Sequence, residues 1–237
     1  MSYLRLLRQR PVLILWLAET LSVFGDRFFT LALMWTVWDR AGAVAMGVVA
    51  MIESIPHILI GAFGRRVLSR FASFRALAVV DAAQVAVVGA MPWLWDSIGL
   101  PGVMVVIVLI GTADAITEPN RAALTPELVE KDQVQPVNGL MDLTGRFTWV
   151  LGPGTAALLL AFISAETLFL IDAVTFAASA LALSWLAQSE QRPDAPASPR
   201  RAKPWALRRR GPEPRRPRRV HRAGAGRGRD PPTLGSR

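Results

Sequence analysis

The chain contains no cysteine and only two histidines, His57 and His221. The absence of cysteine excludes disulfide bonds, thiolate nucleophiles and metal sites with cysteine ligands. Two isolated histidines do not suggest a catalytic triad or a metal site, and we expect no metal and no cofactor. The glycine-rich run at residues 223–229 follows no strand, so it does not indicate a phosphate-binding loop. We therefore do not expect an enzyme.

Apolar residues and positive charge are concentrated in different parts of the chain. Hydrophobic residues make up 52% of the sequence, yet its net charge is +9. Residues 188–237 contain 14 Arg and 1 Lys against 4 acidic residues, a net charge of +11, which leaves −2 for residues 1–187. The sequence therefore predicts an apolar domain over residues 1–187 and a separate basic tail over residues 188–237.

Six stretches of the apolar domain are long enough to cross a membrane. A hydrocarbon core of about 30 Å needs about 20 helical residues. Polar residues, glycine or proline separate the stretches. The predicted spans are residues 11–38, 43–64, 75–95, 101–119, 137–163 and 167–187. The predicted fold class is an all-α membrane protein with six transmembrane helices.

The loops indicate how these spans are oriented. Nine Lys or Arg residues lie before span 1, between spans 2 and 3, and between spans 4 and 5, whereas only Arg40 lies on the other side. Because basic loops stay in the cytoplasm, we expect a multi-pass protein of the plasma (inner) membrane with both termini cytoplasmic. The lipid bilayer is thus one expected partner.

The tail is rich in Arg, Pro, Ala and Gly and holds nine of the 17 prolines. Such a composition cannot bury a core, so we expect disorder. Arg, Pro, Ala and Gly are also the residues that GC-rich DNA encodes in almost any reading frame. We therefore interpret residues 188–237 as a frameshifted reading, and we do not expect nucleic acid as a partner.

Residues 111–129 are the stretch around which the domain is organised. Asp114 and Glu118 lie four residues apart at the end of an apolar run, and Pro119 is expected to end the helix. An ionisable group within a membrane costs roughly 2.5 to 3.5 kcal/mol, so such groups usually face a bundle interior or a wet cavity. This pattern indicates transport of a small-molecule substrate.

Acidic residues also occur within the first two predicted spans. Glu19 and Asp26 lie seven residues apart and share a helix face, as proton-coupling or substrate-facing carboxylates do. The alternative is that both acids only bond to neighbouring helices. Glu53 and His57 lie four residues apart in span 2 and either relay protons or neutralise each other.

Span 5 contains a charged pair followed by residues that bend helices. Asp142 and Arg146 are spaced for an intrahelical salt bridge, although Arg146 could instead attract an anionic group of a substrate. Gly152 and Pro153 then favour close packing and a bend, because proline removes a helix hydrogen bond. A bent helix suits a gating role.

Three ordered patterns occur in the apolar domain. Span 1 contains Ser22, Gly25, Asp26, Ala32 and Leu33, the end of span 4 contains Pro119, Arg121, Ala123, Pro126, Leu128 and Val129, and span 5 contains Gly152-Pro153. These patterns resemble the major facilitator superfamily, specifically its drug-efflux-like branch that includes enterobactin-type exporters, and Gly152-Pro153 resembles the antiporter motif of span 5. The similarity covers residues 4 to about 186.

The signature loop between spans 2 and 3 departs from the family pattern GxxxGxxxDR. Gly61 and Arg70 match it, but Arg65 replaces the second glycine and Ser69 replaces the aspartate. In the family this aspartate helps to hold the cytoplasmic side closed. A serine cannot make the same charge-assisted bonds.

The resemblance implies two inverted three-helix repeats within residues 1–187, which would form one half of a transporter. It implies proton-coupled efflux of a small amphipathic molecule, drug-like or siderophore-like, and a second six-helix half as partner. Proton coupling or cavity lining would fall to Glu19, Asp26, Glu53, His57, Asp114 and Arg146. Gating or bending would fall to Gly61, Arg70, Pro119, Arg121, Gly152 and Pro153. The alternatives are a homodimerising half-transporter and a membrane scaffold that does not transport but binds through its basic tail.

Overall fold

The computed structural model describes residues 3–189, except for the side chains of residues 4 and 5, and every regular element in that range is helical. From residue 190 onward the predicted tail, with His221, lies outside the described residues. The helices are α1 (Tyr3–Leu6), α2 (Arg10–Phe63), α3 (Arg65–Arg70), α4 (Phe74–Leu124), α5 (Val134–Leu160) and α6 (Ala165–Ser189), and a 3₁₀ turn (Thr125–Leu128) follows α4.

Three segments of this fold are long and apolar enough to cross a membrane: Arg10–Phe63, Phe74–Leu128 and Ala165–Ser189. An 18-residue stretch of each segment has a mean hydropathy of 1.9, 2.0 and 1.8, respectively. The expectation of an all-α membrane protein is therefore supported. A straight helix of 54 residues, the length of α2, would extend about 80 Å, far more than a hydrocarbon core of about 30 Å.

Each of the two longest helices is interrupted at one glycine. Gly42 has φ 83° and ψ 175°, and Gly99 has φ 63° and ψ −174°. This region of backbone conformation is open to glycine and strained for other residues. Both breaks lie at polar or Pro/Gly boundaries that the sequence predicts, residues 39–42 and residues 99–101. Helices α2 and α4 therefore each consist of two segments, which meet at Gly42 and Gly99 respectively.

The core contains one large cluster of buried apolar side chains drawn from α2, α4 and α6. Val37 and Val49, which lie on opposite sides of Gly42, both belong to it, as do Met91 and Val103 on opposite sides of Gly99. The two segments of each interrupted helix therefore pack into the same core. A second, smaller cluster lies toward the other end of these helices: Leu15, Phe74, Leu77, Ala78, Leu124, Leu183, Leu186 and Ala187.

The prediction that Pro119 ends its helix is wrong, because α4 continues through Pro119 to Leu124. A proline removes only one backbone donor, here the one that would bond the Ala115 carbonyl, and helices in apolar surroundings tolerate this loss. Two carbonyl groups on either side of it accept side-chain bonds. The Thr117 hydroxyl donates to the Asp114 carbonyl at 3.4 Å, and the Asn120 amide donates to the Ile116 carbonyl at 2.9 Å. Arg121 is consequently a helix residue and not a loop residue, although the basic excess in the remaining loops persists.

Candidate functional site

A layer of buried polar side chains lies between the two apolar clusters. It is built from the first part of α2, both segments of α4 and the middle of α6. Buried polar groups must find hydrogen-bond partners, so their arrangement is specific. The buried members are Ser22, Asp81, Gln84, Thr117, Asn120, Arg121, Asp172, Thr175 and Ser179.

An ion pair between Asp81 and Arg121 forms the centre of this layer. Arg121 Nη2 donates to Asp81 Oδ2 at 2.6 Å, and the two side chains are only 8% and 0% exposed. The hydroxyl of Ser179 donates to the same Asp81 oxygen at 2.6 Å. These contacts join the two segments of α4 to each other and to α6. Arg121, expected to gate, thus lies in a buried ion pair.

Sequence reasoning missed Asp81, although a signal for it was present. Asp81 and Gln84 are the only polar side chains between Ala76 and Met91. An ionisable residue inside an apolar span marks a candidate functional position, which is the argument that selected Asp26. Its partner Arg121 is 40 residues distant, so spacing along the chain could not have paired them.

Asp114 lies beside the ion pair and accepts a hydrogen bond from Gln84 Nε2 at 2.6 Å. Glu118, which shares its helix face in the sequence pattern, is exposed, whereas Asp114 is half-buried. The two carboxylates therefore do not act as one buried pair. Asp114 alone belongs to the polar layer.

The first segment of α2 approaches α6 closely at Gly25. A Cβ atom added to Gly25 would collide with Asp172 Oδ1 and Thr175 Oγ1. Thr175 Oγ1 also donates to Asp172 Oδ1 at 3.1 Å. Gly25, which matches the first-span motif, thus allows the backbone of α2 to contact a polar pair. Next to it, Asp26 is half-buried and lies within electrostatic range of Asp114 and Asp172.

The second segment of α2 contacts the second segment of α4. A Cβ atom on Gly111 would lie 3.3 Å from both the Glu53 carbonyl oxygen and Pro56 Cγ. Glu53 is half-buried and His57 is exposed. Asp114 lies within electrostatic range of His57, so this contact connects the predicted Glu53–His57 pair to the polar layer.

Glu19 lies within electrostatic range of Arg121 and lines a cavity of about 20 Å³ between α2 and α5. Its Oε2 atom is buried and has no hydrogen-bond partner among the described residues. Thr20, Thr144 and Thr148 line the same cavity. Glu19 and Asp26 both lie within electrostatic range of Arg121.

The predicted pair Asp142 and Arg146 forms an exposed salt bridge on α5, with Arg146 Nε 2.9 Å from Asp142 Oδ2. Asp142 lies eight residues beyond the start of α5, about 12 Å along the helix. Apolar side chains surround this pair on the exposed face, among them Phe147 and Val150. This face of α5 thus exposes both charged and apolar side chains, and no described part of the chain covers it.

Arg27 is a second cation near α5 and has no salt bridge among the described residues. Its Nε atom is buried without a hydrogen-bond partner, and its guanidinium carbon lies 5.4 Å from the centroid of the Trp149 ring. A Cβ atom on Gly152 would lie 2.6 Å from Arg27 Cγ. Gly152 therefore makes room for the arginine stem, a contact that its predicted role in a bend did not anticipate.

An apolar cavity of about 570 Å³ begins one helical turn beyond Arg27, at Leu31. Trp35 and Trp38 stand side by side on its wall, with ring centroids 5.4 Å apart. Helix α5 supplies the opposite wall. The full lining is Leu31, Met34, Trp35, Trp38, Met46, Ala157, Leu160 and Ala161.

The remaining predicted gating residues lie on the surface. Gly61 is exposed near the end of α2, and Arg70 is exposed in the last turn of α3. Pro119 and Pro153 are exposed inside continuous helices. Among the described residues, the structure does not bring these four residues into the polar layer.

Comparison with known proteins identifies the family. The family model described as Major Facilitator Superfamily matches residues 11–222. No curated protein and no solved structure matches the chain. Members of this family are membrane transporters and not enzymes, in agreement with the apolar helices and with the sequence-based expectation. Since the match covers most of its length, the chain belongs to the major facilitator superfamily of multi-pass membrane transporters.

Proposed function

We propose that the chain is the six-helix half of a proton-coupled efflux transporter for a small amphipathic molecule that has an anionic end. The observation that carries this proposal is the apolar cavity with Arg27 one turn from its edge. An apolar chamber one helical turn from an arginine that has no salt bridge among the described residues suits a ligand that is apolar over most of its length and negatively charged at one end.

The proposal places six spans in the bilayer, arranged as two inverted three-helix repeats. The breaks at Gly42 and Gly99 support it, because each divides a helix that is too long for one crossing. Helices α5 and α6 supply the fifth and sixth spans. Basic residues before α2, around α3 and after α4 support cytoplasmic termini in a plasma (inner) membrane.

Proton coupling is assigned to Asp26. It is an acid within a span, it lies one residue from the close contact at Gly25, and Asp114 and Asp172 lie within electrostatic range. Like charges at close quarters favour uptake of a proton by one member of the group. Glu53 and His57 adjoin this group and are proposed to line the same pathway.

A second six-helix half is proposed to cover α5. The salt bridge of Asp142 and Arg146 and the exposed rings of Phe147 and Trp149 form a mixed face. Charged groups that meet hydrocarbon cost several kcal/mol, whereas a protein partner or a wet cavity relieves that cost. The partner is either a separate six-helix half or a second copy of this chain. We also propose that residues 188–237 are a frameshifted reading, because the tail consists largely of the residues that GC-rich DNA encodes.

Ligand binding tests the assignment of the cavity. The full chain in lipid nanodiscs should bind a naphthalenesulfonate dye more tightly than a naphthylammonium dye of equal size, measured by titration calorimetry. Arg27→Gln should weaken binding of the anionic dye by about tenfold or more, because hydrogen bonds to charged groups contribute about 1.5 to 3 kcal/mol. Arg66→Gln, which removes an exposed arginine of α3, is the matched control and should bind as the unaltered chain does.

Equal affinity for both dyes, or an Arg27→Gln variant that binds the anion normally, would contradict the assignment. Failure of both dyes to bind would favour the scaffold alternative. Transport is the second measurement, with the chain in proteoliposomes under a pH gradient. We expect no saturable transport by the chain alone. Saturable transport that Asp26→Asn abolishes would favour the homodimer, and transport that survives Asp26→Asn would remove the proton role from Asp26.

A further inference from the structure

The polar residues that line the cavity between α2 and α5 all have oxygen atoms in their side chains. These polar lining residues are Glu19, Thr20, Thr144 and Thr148. Val23, Met141 and Gly145 complete the wall. Four oxygen-bearing side chains thus surround a space of about 20 Å³.

Each of the three threonine hydroxyl groups already donates its proton to a backbone carbonyl of its own helix. Thr20 Oγ1 donates to the Trp16 carbonyl at 2.6 Å, Thr144 Oγ1 donates to the Leu140 carbonyl at 2.9 Å, and Thr148 Oγ1 donates to the Thr144 carbonyl at 3.0 Å. A hydroxyl group has one proton and two lone pairs, so each oxygen can still accept but cannot donate. Thr144 Oγ1 uses one lone pair to accept from Trp16 Nε1 at 2.9 Å.

The cavity therefore presents acceptors and an unpartnered carboxylate oxygen, Glu19 Oε2. A buried carboxylate without a partner is strongly unfavourable. Arg121 is the cation within electrostatic range of Glu19, but Asp81 already binds its guanidinium. A cation in the cavity would neutralise Glu19, and protonation of the carboxyl group is the alternative.

Size and charge decide between cations. About 10 to 15 Å³ is enough for one water-sized particle, so this cavity admits one such particle and excludes an ion with its hydration shell. One carboxylate balances one positive charge, which disfavours a divalent ion. Carboxylate and hydroxyl oxygens are hard ligands that suit hard cations. We propose that Glu19, Thr20, Thr144 and Thr148 form a binding site for Na⁺ between α2 and α5.

This site is separate from the proton pathway proposed at Asp26 and goes beyond it. It connects the first segment of α2 to α5, the helix that also contacts Arg27 and lines the apolar cavity. Bound Na⁺ would hold these two helices together at Glu19. Its occupancy can be measured at equilibrium without any transport.

The test is equilibrium binding of radioactive sodium to the full chain in lipid nanodiscs. Saturable binding should be lost in Glu19→Gln and weakened in Thr148→Val by at least the roughly 10- to 100-fold that loss of an outer-shell partner costs a metal site. Thr148→Ser keeps the oxygen and should bind normally. Glu127→Gln removes an exposed acid of the 3₁₀ turn and should also bind normally.

The contrast between valine and serine at position 148 keeps the proposal falsifiable if Glu19→Gln fails to fold. Valine and threonine have the same shape, and the hydroxyl bonds only within its own helix. Equal sodium binding by Thr148→Val and Thr148→Ser would overturn the proposal. Absence of saturable binding by the unaltered chain would also overturn it and would assign the cavity to a protonated Glu19. Neither result depends on Arg27 or on efflux, so failure here leaves the proposed function standing.

Discussion

Breaking the ion pair of Asp81 and Arg121 should destabilise the domain more than any surface charge change. The two side chains are 0% and 8% exposed, so Asp81→Leu would leave the buried Arg121 guanidinium without its ion-pair partner. Removing one partner of a buried ion pair costs about 3 to 5 kcal/mol. This corresponds to a change of about two to four orders of magnitude in the unfolding equilibrium, at about 1.4 kcal/mol for each factor of ten.

The double variant separates charge burial from packing. Asp81→Leu combined with Arg121→Met replaces both charges by apolar side chains, and replacement of a whole buried pair is often neutral or stabilising by about 1 to 4 kcal/mol. The double variant should therefore be more stable than either single variant. A hydrogen bond between membrane helices averages only about 0.6 kcal/mol in similar cycles. A coupling energy of several kcal/mol would identify a buried ion pair and not a simple hydrogen bond.

The assay is reversible unfolding by dodecyl sulfate in mixed micelles, followed by circular dichroism. The matched control is the salt bridge of Arg40 and Asp96, with a distance of 2.7 Å and side chains that are 33% and 76% exposed. Exposed pairs contribute about 0.2 to 1 kcal/mol, so Asp96→Leu should cost no more than that. If Asp81→Leu costs no more than Asp96→Leu, the reasoning about the buried layer is wrong.

Two further predictions concern glycines, each measured by the same unfolding assay. Gly25→Ala should destabilise the domain by about 1 to 3 kcal/mol, because the new Cβ meets Asp172 and Thr175 in a packed interior, and an unchanged stability would show that α2 and α6 do not approach as described. Gly42→Ala should cost about 1 to 3 kcal/mol through its positive φ, whereas Gly47→Ala, with nothing within 4 Å and an ordinary helical φ, should be neutral or stabilising by up to about 1 kcal/mol. Equal effects at Gly42 and Gly47 would contradict the break in α2.

The helical class and the segment boundaries could be predicted from the sequence because they depend on local properties. Apolar runs of about 20 residues identify membrane helices, and the polar residues 39–42 mark the break that Gly42 makes. The prediction for Pro119 was wrong because the rule that proline ends a helix considers only the neighbouring residues in the sequence. Helix α4 continues past it to Leu124, because a proline removes only one backbone donor.

The partners in the site could not be predicted from the sequence, because they are distant along the chain. Spacing identified Asp142 with Arg146, which are four residues apart, and the structure joins them. The same reasoning could not join Arg121 to Asp81, or Asp81 to Ser179, 98 residues away.

The six-span arrangement underlies every other claim, since it decides which residues lie within the bilayer. The chain has no cysteine, so single cysteines can be introduced at the connecting segments without first replacing native cysteines. Ala41→Cys, Ser97→Cys and Ser164→Cys should react with a membrane-impermeant maleimide added outside intact cells. Ser69→Cys and Glu130→Cys should react only after the membrane is opened. Labelling of positions 41 and 69 from the same side would show that the segments on either side of Gly42 do not each cross the membrane, and would contradict the account.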